Sequence, residues 1–580
     1  MPEKKSSTPE LVSSENPATV DAPKGSNRRA FLGQVGAAAT LAAGALAAPA
    51  VASAANGNSS NSNGTSSNPT QNRVNKAYQL RVNMASQDQI ASYAKNVNNG
   101  DDALYADKAG TYTKGLAHDA FGRVTAASYA SFKTALASGK HSDFENIILG
   151  GTRTLNGPQG GLAFDLEALD STQFGQPQVP PAPTLASDQS GTELLEHYWG
   201  ALLRDVAFTD YGSNALAIAA AAELSSQPSY VGPRDASGQV TTDLLFRGGF
   251  PGETLGPYAS QFFIQPTSFG SQPLGQQQIT YLPNIDFGAN FNEWLNIQNG
   301  VDTGQQTTDD PNLRFRRNGR DFAAFTRVDV LYQAYFVAFL VLAGMGAPLN
   351  PGNPYNGSTV ENGFGSFGGP DFAGCFGEIA TKALNAVWWQ KWFVHLRPRP
   401  EATGGIVHLL KTGQGNNTDA KLSKTILNSN GLQQSFNKYG TWLLPLAFPE
   451  GSPTHPAYPT GHGTVGGACI TMLKFIFDGN HVLQNPVVPT DDGLSLVPYT
   501  GSDAGQLTVN GELNKLGHNV TFGHGIHAGI HWRSDSDTSL KLGEAVALSF
   551  LKDRGRTYNE PFTISLTKFD GTTVTLSNEE

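Results

Sequence analysis

The sequence predicts a mainly α-helical protein with long loops and a small β-hairpin near its C-terminus. Several stretches carry apolar residues at the 3.6-residue spacing of a helix. The 580 residues include 65 glycines and 34 prolines, a composition typical of many loops and turns. An alternating segment around an Asp-Gly pair predicts the hairpin over residues 562–576. These observations favour a helical bundle elaborated by loops.

The predicted helices cover residues 194–208, 328–344, 376–396, 461–478 and 534–553. The stretch 328–344 is apolar nearly all round, which predicts a helix buried in the centre of the bundle. Pro398 and Pro400 end the third helix, because proline cannot continue the helical hydrogen bonding. Residues 209–320 are rich in Gly, Pro, Gln and Asn and predict little beyond loops.

The first 54 residues have the composition of an export signal. Arg28 and Arg29 precede an alanine-rich apolar run, and residues 52–54 (Ala-Ser-Ala) form a cleavage site for signal peptidase. Twin-arginine signals export folded proteins, so we expect a periplasmic or secreted protein. An N-terminal membrane anchor is the weaker alternative, because the run is weakly hydrophobic and contains Gly and Pro. We therefore expect no stable membrane insertion.

The remaining chain is predicted to contain one linker and one domain. Residues 55–72 are a polar, low-complexity segment that we expect to be disordered. No comparable break interrupts residues 73–580, which predict one large domain. Cys375 and Cys469 both lie in apolar stretches, where two buried thiols are the favoured interpretation and a disulfide stays open.

The net charge constrains the partners of the protein. A formal charge of −10 and a pI near 5.7 give no support to a nucleic-acid partner. Any bound anion must instead be held by a local cluster of donors.

Two segments supply such donors. In KWFVHLRPRPE, Lys391 and Arg399 lie eight residues apart across a helix end. In SPTHPAYPTGHGTVGGA, Thr460, Gly461 and His462 precede a predicted helix. A helix N-terminus offers unpaired backbone N–H groups and the positive end of a dipole, which together hold an anion.

The third segment, FGHGIHAGIHWRSDSD (522–537), contains His524, His527 and His531. On one helix face these three side chains would suit a zinc ion, but the interrupting glycines disfavour a regular helix and favour a loop. Asp535 follows His531 by four residues and is expected to accept a hydrogen bond from one ring nitrogen, leaving the other free to coordinate.

In this order and spacing the segments K-x7-RP, PxxPxYPxGH and GxHWRxD resemble those of vanadium-dependent haloperoxidases, specifically the bromoperoxidases of algae and cyanobacteria. The stretches NKAYQLRVNMA, YTKGLAHDAFG, AFDLEALDS and YWGALLRDVAFTDY also resemble this family, so the similarity spans most of residues 73–580. It implies a helical-bundle fold shared with acid phosphatases, and a haloperoxidase-like catalytic domain with vanadate as cofactor.

The resemblance also implies a role for each site residue. His531 would bind vanadium, and the vanadate oxygens would accept hydrogen bonds from Lys391, Arg399, Thr460 and the Gly461 amide. These residues would form the cofactor pocket.

Further residues would act on the substrates. His462 would be the acid–base group and also contact the cofactor, His455 would tune the pocket, and Trp388 would line the halide side. The implied reaction is oxidation of bromide, or another halide, by hydrogen peroxide to hypohalous acid, which halogenates small organic acceptors. A homo-oligomer is implied as well.

Two departures from the family pattern stand out. Thr460 replaces a serine, and Gly525 stands six residues before His531, where the family has an arginine. With one inserted residue, His524 takes the place of that arginine. The loss of one charged hydrogen bond costs about 1.5–3 kcal/mol, so vanadate affinity is expected to fall roughly ten- to a hundredfold. Arg533 follows His531 and is expected to face elsewhere.

Two other functions remain open at this point. The same pocket suits a phosphatase, with His531 as nucleophile and His462 as general acid. An exported homologue without catalytic activity is the second alternative, since the third cationic residue is missing.

Overall fold

Long helices joined by long loops build the fold, which confirms the mainly α prediction. The structure, a computed structural model, describes residues 69–91 and 94–579. The helices up to residue 344 are α1 (Pro69–Ile90), α2 (Asp101–Leu104), α3 (Ala126–Ser138), α4 (His141–Phe144), α5 (Asp188–Leu203), α6 (Ala215–Ser225), α7 (Phe291–Gln298), α8 (Gly319–Val328) and α9 (Gln333–Gly344). Those that follow are α10 (Gly369–Trp389), α11 (Pro400–Lys411), α12 (Lys424–Leu427), α13 (Asn430–Tyr439), α14 (Gly461–Ile476), α15 (Val509–Phe522) and α16 (Arg533–Gly555).

The strands of the described residues form three small antiparallel hairpins. They are β1 (Thr267–Phe269) with β2 (Gln272–Leu274), β3 (Val487–Pro489) with β4 (Leu496–Pro498), and β5 (Thr563–Thr567) with β6 (Thr573–Ser577). The last pair is the predicted C-terminal hairpin, which is therefore confirmed.

Helix α14 occupies the centre of the bundle and packs against α10, α15 and α16. Every residue of α14 except His462 is buried. The crossing with α16 is close because both helices present glycine there. A Cβ on Gly467 would lie 2.1 Å from the Leu540 carbonyl oxygen, and one on Gly543 would lie 2.0 Å from that of Thr464. This crossing holds the N-terminus of α14 against the segment that precedes α16.

The prediction of one central helix over 328–344 was wrong. Helix α8 ends at Val328 and α9 begins at Gln333, with a bend of 105° between them. Helix α9 buries one face, including Tyr335 and Ala338, while much of its opposite face is only partly buried. The apolar residues on all sides of this helix therefore did not indicate a position in the centre of the bundle.

The other predicted helices are present with shifted bounds. Helix α5 begins earlier than predicted because the Ser187 hydroxyl caps it, accepting from the backbone N–H of Ser190. Helix α10 continues into a π-helical turn, Gln390–His395, and ends at Leu396 before the two prolines. The predictions for α14 and α16 are confirmed to within two residues.

The interval 209–320 was predicted as loops, which is wrong in part. It contains α6, α7, the first two residues of α8, and the β1–β2 hairpin. Asn214 and Asn290 cap α6 and α7, each accepting from two backbone N–H groups. Short helices of this kind depend on caps and tertiary packing, so periodicity alone did not reveal them.

Residues 74–580 form one compact unit. The predicted signal (1–54) and residues 55–68 of the predicted linker lie outside the described residues, and α1 begins at Pro69. Among the described helices, none by itself is both long and apolar enough to span a membrane. Both cysteines are buried free thiols, so the disulfide left open above is not formed.

Candidate active site

The third predicted segment folds as a continuation of α15, not as the expected loop. Helix α15 passes directly into a π-helical turn, Gly523–His527. A π-helical turn holds one more residue than the same length of α-helix. Such a turn would accommodate the one-residue insertion that the sequence left open, and His524 lies in this turn.

His531 presents one free ring nitrogen to the pocket. Its side chain is fully buried, and Nδ1 lies 2.9 Å from Oδ2 of Asp535. This contact confirms the pairing expected from the four-residue spacing. Asp535 is itself held by the backbone N–H of Trp532 at 3.0 Å and by Arg397 at 2.7 Å. Because Nδ1 donates to the carboxylate, Nε2 carries the lone pair, and it has no hydrogen-bond partner among the residues that the structure describes.

The pKa of His531 lies well below its usual value, because of burial and then the nearby charges of Arg399 and Lys391. The ring is therefore neutral in the protein alone, as a metal ligand must be.

Lys391 and Arg399 enter the pocket from two different elements. Lys391 stands on the π-helical turn after α10, and its Nζ donates to the carbonyl oxygens of Pro456 and Ala457 at 2.8 and 2.9 Å. Arg399 precedes α11, and its guanidinium donates to the Ile530 carbonyl oxygen at 2.9 Å. Neither cation has a carboxylate within 4 Å among the described residues.

The pKa values of both cations are lowered in this buried environment without a nearby carboxylate. Burial lowers the pKa of Lys391 well below its ordinary value, and the charge of Arg399 adds to this effect. Burial lowers the pKa of Arg399 to about 10. An anion between them would offset the cost of holding two buried positive charges.

The N-terminus of α14 forms the floor of the pocket. Thr460 is the residue before the helix and is fully buried, but its hydroxyl neither caps the helix nor meets another protein group. A Cβ on Gly461 would lie 3.3 Å from the ring of Trp388, so the ring packs directly on the helix start. The Thr460 hydroxyl and the first amides of α14 are thus available to an oxyanion.

His462 has a partner that was missed at the sequence level. Its Nε2 lies 2.9 Å from Oδ1 of Asp329, which is buried at the break between α8 and α9. Asp329 is 133 residues from His462 in sequence, and no local pattern connects them. The predicted helix over 328–344 had assigned Asp329 to a regular turn of helix, which concealed its position at the end of α8.

His524 and His455 complete the ring of histidines. The ring centroid of His524 lies 4.4 Å from that of His462 and 5.5 Å from that of His531. Its Nδ1 is buried without a partner. His455 lies 4.9 Å from Trp388 and within 3.0 Å of the Arg399 guanidinium. Burial and neighbouring cationic groups lower the pKa of both histidines well below the usual value.

The zinc alternative is excluded by the placement of His527. Its Nε2 contacts the Tyr258 hydroxyl at 2.9 Å, within an aromatic cluster outside the pocket. The part of the chain that the structure describes holds no group of three or more metal-ligating side chains. Arg533 also faces elsewhere, as expected, and forms a buried ion pair with Glu196.

The pocket therefore combines buried cations without carboxylates, a helix N-terminus and unpartnered polar atoms. The buried atoms without partners are His531 Nε2, Thr460 Oγ1 and His524 Nδ1. Buried polar atoms without partners are uncommon, and their convergence fits a tetrahedral oxyanion such as vanadate.

No protein-family model matches the chain. It is 34% identical over 504 residues to a vanadium-dependent bromoperoxidase of Ascophyllum nodosum, a match that covers 83% of this chain and 88% of the relative. It is 31% identical to the vanadium-dependent bromoperoxidase of Corallina officinalis, over 87% of this chain and 98% of the relative. The chain belongs to the vanadium-dependent bromoperoxidase family.

A solved structure supports the same conclusion. The homohexameric structure of the second vanadate-dependent bromoperoxidase of Ascophyllum nodosum matches with a TM-score of 0.83 and 28% identity, over 92% of this chain and 95% of the other. The protein is thus an oxidoreductase of the vanadium-dependent bromoperoxidase family with the family's helical fold.

A cavity of about 410 Å³ leads to the pocket of this bromoperoxidase-family protein. His524 and Ile530 form its inner end. Farther out lies Arg327, whose guanidinium is paired with both carboxylate oxygens of Glu450 at 2.8 Å. His524 is therefore the pocket histidine that also lines this cavity.

Proposed function

We propose that this protein is an exported vanadate-dependent bromoperoxidase that uses hydrogen peroxide to oxidise bromide to hypobromous acid. The observation that carries the proposal is the convergence of the unpartnered His531 Nε2 and Thr460 Oγ1 with two buried cations, Lys391 and Arg399, that have no carboxylate partner. Membership of a family whose relatives are named vanadium-dependent bromoperoxidases supports vanadate as the oxyanion and bromide as the halide.

The pocket residues divide into one ligand and several donors. His531 Nε2 would bind vanadium, while Lys391, Arg399, the Thr460 hydroxyl and the Gly461 amide would donate to the vanadate oxygens. Two of the three N–H groups of Lys391 donate to carbonyl oxygens, so the third remains for a hydrogen bond to the anion. Bound vanadate would act as a Lewis acid that activates peroxide, and the oxidation state of vanadium would not change.

His462 would act as the acid–base group of the reaction. Asp329 accepts a hydrogen bond from Nε2 of His462, which leaves Nδ1 as the basic nitrogen that takes a proton from incoming peroxide. The net reaction converts bromide, hydrogen peroxide and one proton into hypobromous acid and water. The protonated His462 can return its proton to the leaving oxygen, which becomes water.

His455 and Trp388 form the side of the pocket proposed for the halide. The Arg399 guanidinium lies 3.0 Å from Nδ1 of His455, and the Trp388 indole covers the start of α14. A partly desolvated pocket edge of aromatic rings beside a cation suits a large, weakly hydrated anion such as bromide. Small organic acceptors would then react with the oxidised halogen.

The test is bromination of phenol red by the purified protein with peroxide and bromide, before and after addition of orthovanadate, between pH 5 and pH 8. We expect activity that depends on vanadate and is abolished by His531→Ala. The exposed His141 gives a matched control, since His141→Ala should leave the activity unchanged. Hydrolysis of p-nitrophenyl phosphate without any bromination would favour the phosphatase alternative and contradict the proposal.

We further propose that the protein is a homo-oligomer. The solved bromoperoxidase to which it is similar is described as homohexameric. On this chain, Val328 and Val330 are 76% and 58% exposed beside α9, and Phe269, 55% exposed, lies 6.0 Å from Phe336 on the outer side of α9. Apolar side chains clustered on a surface mark interaction sites.

Light scattering during size-exclusion chromatography tests the oligomer. Val330→Glu should lower the mass of the particle, whereas Thr381→Glu, at an exposed position of α10, should not. A monomeric mass for the unmodified protein would contradict the proposal.

A twin-arginine signal over residues 1–54 is proposed to export the protein. Fractionation of expressing bacteria tests it, because Arg28→Lys combined with Arg29→Lys should retain the protein in the cytoplasm. Export of the double variant at the normal level would exclude this route.

A further inference from the structure

Most buried cations of this protein are neutralised by a carboxylate. Among the described lysines and arginines with less than a tenth of their surface exposed, the ones without a carboxylate within 4 Å are Lys391, Arg399, Lys474, Arg247 and Arg316. Lys391 and Arg399 belong to the oxyanion pocket. Lys474 lines a separate cavity in which it is the one cation among the lining residues, whereas Arg247 and Arg316 form a second pair.

Arg247 and Arg316 line one cavity of about 290 Å³ that shares no residue with the oxyanion pocket. Their exposed fractions are 9% and 4%, and the Nε of each has no partner. Backbone carbonyl oxygens hold both guanidinium groups in place: Arg247 donates to that of Gly256 at 2.8 Å and Arg316 to that of Gln276 at 3.2 Å. Carbonyl groups orient a guanidinium but do not cancel its charge.

Burial of these two charges affects their pKa values. Burial lowers the pKa of Arg247 below its ordinary value and that of Arg316 to about 9. Isolated buried charges are unfavourable unless a counter-ion compensates them. The cavity therefore presents two positive charges that favour an anion.

The acidic residues of the cavity, Asp243 and Asp503, form no ion pair with Arg247 or Arg316 within 4 Å. Asp243 is exposed to solvent, and the carboxylate of Asp503 accepts hydrogen bonds from the Tyr499 hydroxyl and the Gly256 amide, each at 2.7 Å. A third cation in the wall, Arg317, has its own partner in Asp321 at 3.4 Å.

One side of the cavity wall is formed by aromatic and apolar residues, beside polar ones such as Thr242 and Thr254. Phe208 and Tyr258 stack with ring centroids 3.7 Å apart and an angle of 16° between their planes. Val488 and Pro489 complete this side. A flat apolar surface beside two cations fits a ligand that has a planar body and one negative group.

We propose that this cavity is a second ligand site, separate from the oxyanion pocket, that binds a small aromatic carboxylate of benzoate size. The carboxylate would meet Arg247 and Arg316, and the ring would lie against the Phe208–Tyr258 pair. The residues of the oxyanion pocket take no part in this site.

The test uses 4-fluorobenzoate as the probe and follows its ¹⁹F line width in the presence of the full-length protein and saturating vanadate. Vanadate occupies the oxyanion pocket and removes it from the experiment. The neutral isostere 4-fluorobenzamide is the control ligand, because it keeps the ring and loses the charge. We expect the carboxylate to bind and the amide to bind at least about tenfold more weakly, since a charged hydrogen bond is lost.

Three variants separate ligand binding from a purely structural role of the arginines. Arg316→Gln removes one charge, and Thr254→Phe places a ring at the exposed mouth of the cavity while both charges remain. Arg234→Gln is the matched control, because Arg234 also donates to backbone carbonyl oxygens but does not line the cavity. Circular dichroism and thermal melting establish that each variant is folded.

We expect Arg316→Gln and Thr254→Phe each to weaken 4-fluorobenzoate binding at least about tenfold and Arg234→Gln to leave it unchanged. If Arg316→Gln does not fold, Thr254→Phe alone decides. The proposal is overturned by probe binding that is unaffected in Thr254→Phe. It is equally overturned if the probe binds only when vanadate is left out, or by no binding to the unmodified protein up to about 10 mM.

Discussion

Residue 524 offers the most direct test of how this pocket holds its anion. The family pattern has an arginine at the position of Gly525 or, with one inserted residue, of His524; both lie in the π-helical turn, and Nδ1 of His524 is buried without a partner among the described residues. Burial, and then the nearby His462 and Arg399, lower the pKa of His524 well below its usual value. The side chain is therefore neutral in the unliganded pocket at neutral pH. We predict that His524→Arg strengthens vanadate binding.

The size of the effect follows from the position of the ring. His524 lies 5.5 Å from His531 between ring centroids, so a longer cationic side chain at this position can reach an anion bound at His531. A full charge at about 4 Å contributes about 4 kcal/mol with an effective dielectric constant of about 20. Repulsion from Lys391 and Arg399 and the lost hydration oppose this gain. With a net contribution of about 1.5–3 kcal/mol for one charged hydrogen bond, affinity should rise about ten- to a hundredfold.

His524 lines the cavity of about 410 Å³, so the position borders open space. Calorimetric titration of vanadate-free protein with orthovanadate at neutral pH measures the affinity. His524→Gln is the neutral control and should bind vanadate within about threefold of the unmodified protein, because one uncharged donor replaces another.

Two results would refute this reasoning. A folded His524→Arg variant with unchanged or weaker vanadate binding would mean that residue 524 does not face the bound anion. An equal gain in His524→Gln would mean that the change in shape, and not the charge, is responsible. Thermal melting of each variant without vanadate separates both results from a loss of folded protein.

Three further predictions concern groups around the pocket and in the core. Asp535→Asn removes the carboxylate that orients His531, and vanadate affinity should fall about 10- to 100-fold by the same titration, with an unchanged value contradicting the orienting role. Gly543→Ala places a methyl group 2.0 Å from a backbone oxygen of α14 and should lower the free energy of unfolding by about 1–3 kcal/mol, measured by urea unfolding. Gly377→Ala, whose added methyl group has no other atom within 4 Å, should raise the free energy of unfolding by up to about 1 kcal/mol. Equal effects of the two substitutions would contradict the close crossing of α14 and α16. His518 is buried between Glu253 and Asp537 at 2.6 and 2.8 Å, and these carboxylates raise its pKa to about 9 against the opposing effect of burial. The folded-state value exceeds the unfolded one, so this stabilisation is complete below about pH 6.5 and is lost as the pH rises through 9. The difference in unfolding free energy between the unmodified protein and His518→Gln should therefore shrink by about 3 kcal/mol between pH 6 and pH 10, and a constant difference would contradict a protonated His518.

The amino-acid sequence by itself determined the helical class and the chemistry of the site. Helical periodicity and the TGH segment before an apolar run predict α14 with its free N-terminus, because those signals are local. The pairing of His531 with Asp535 followed from a four-residue spacing. Lys391 and Arg399 were identified from their segment and its resemblance to a family. All of these are properties of a few neighbouring residues.

Only the tertiary structure decided which distant groups complete the site. The pairing of Asp329 with His462 joins the break between α8 and α9 to the start of α14, and an apolar stretch contains no signal for a 105° bend. The central helix is α14 and not the more apolar α9, because its close crossing with α16 buries it on all sides. The π-helical turn Gly523–His527 brings the ring of His524 to 4.4 Å from that of His462 and 5.5 Å from that of His531. Periodicity describes how side chains are distributed around one helix, whereas packing between helices decides which neighbour each face meets.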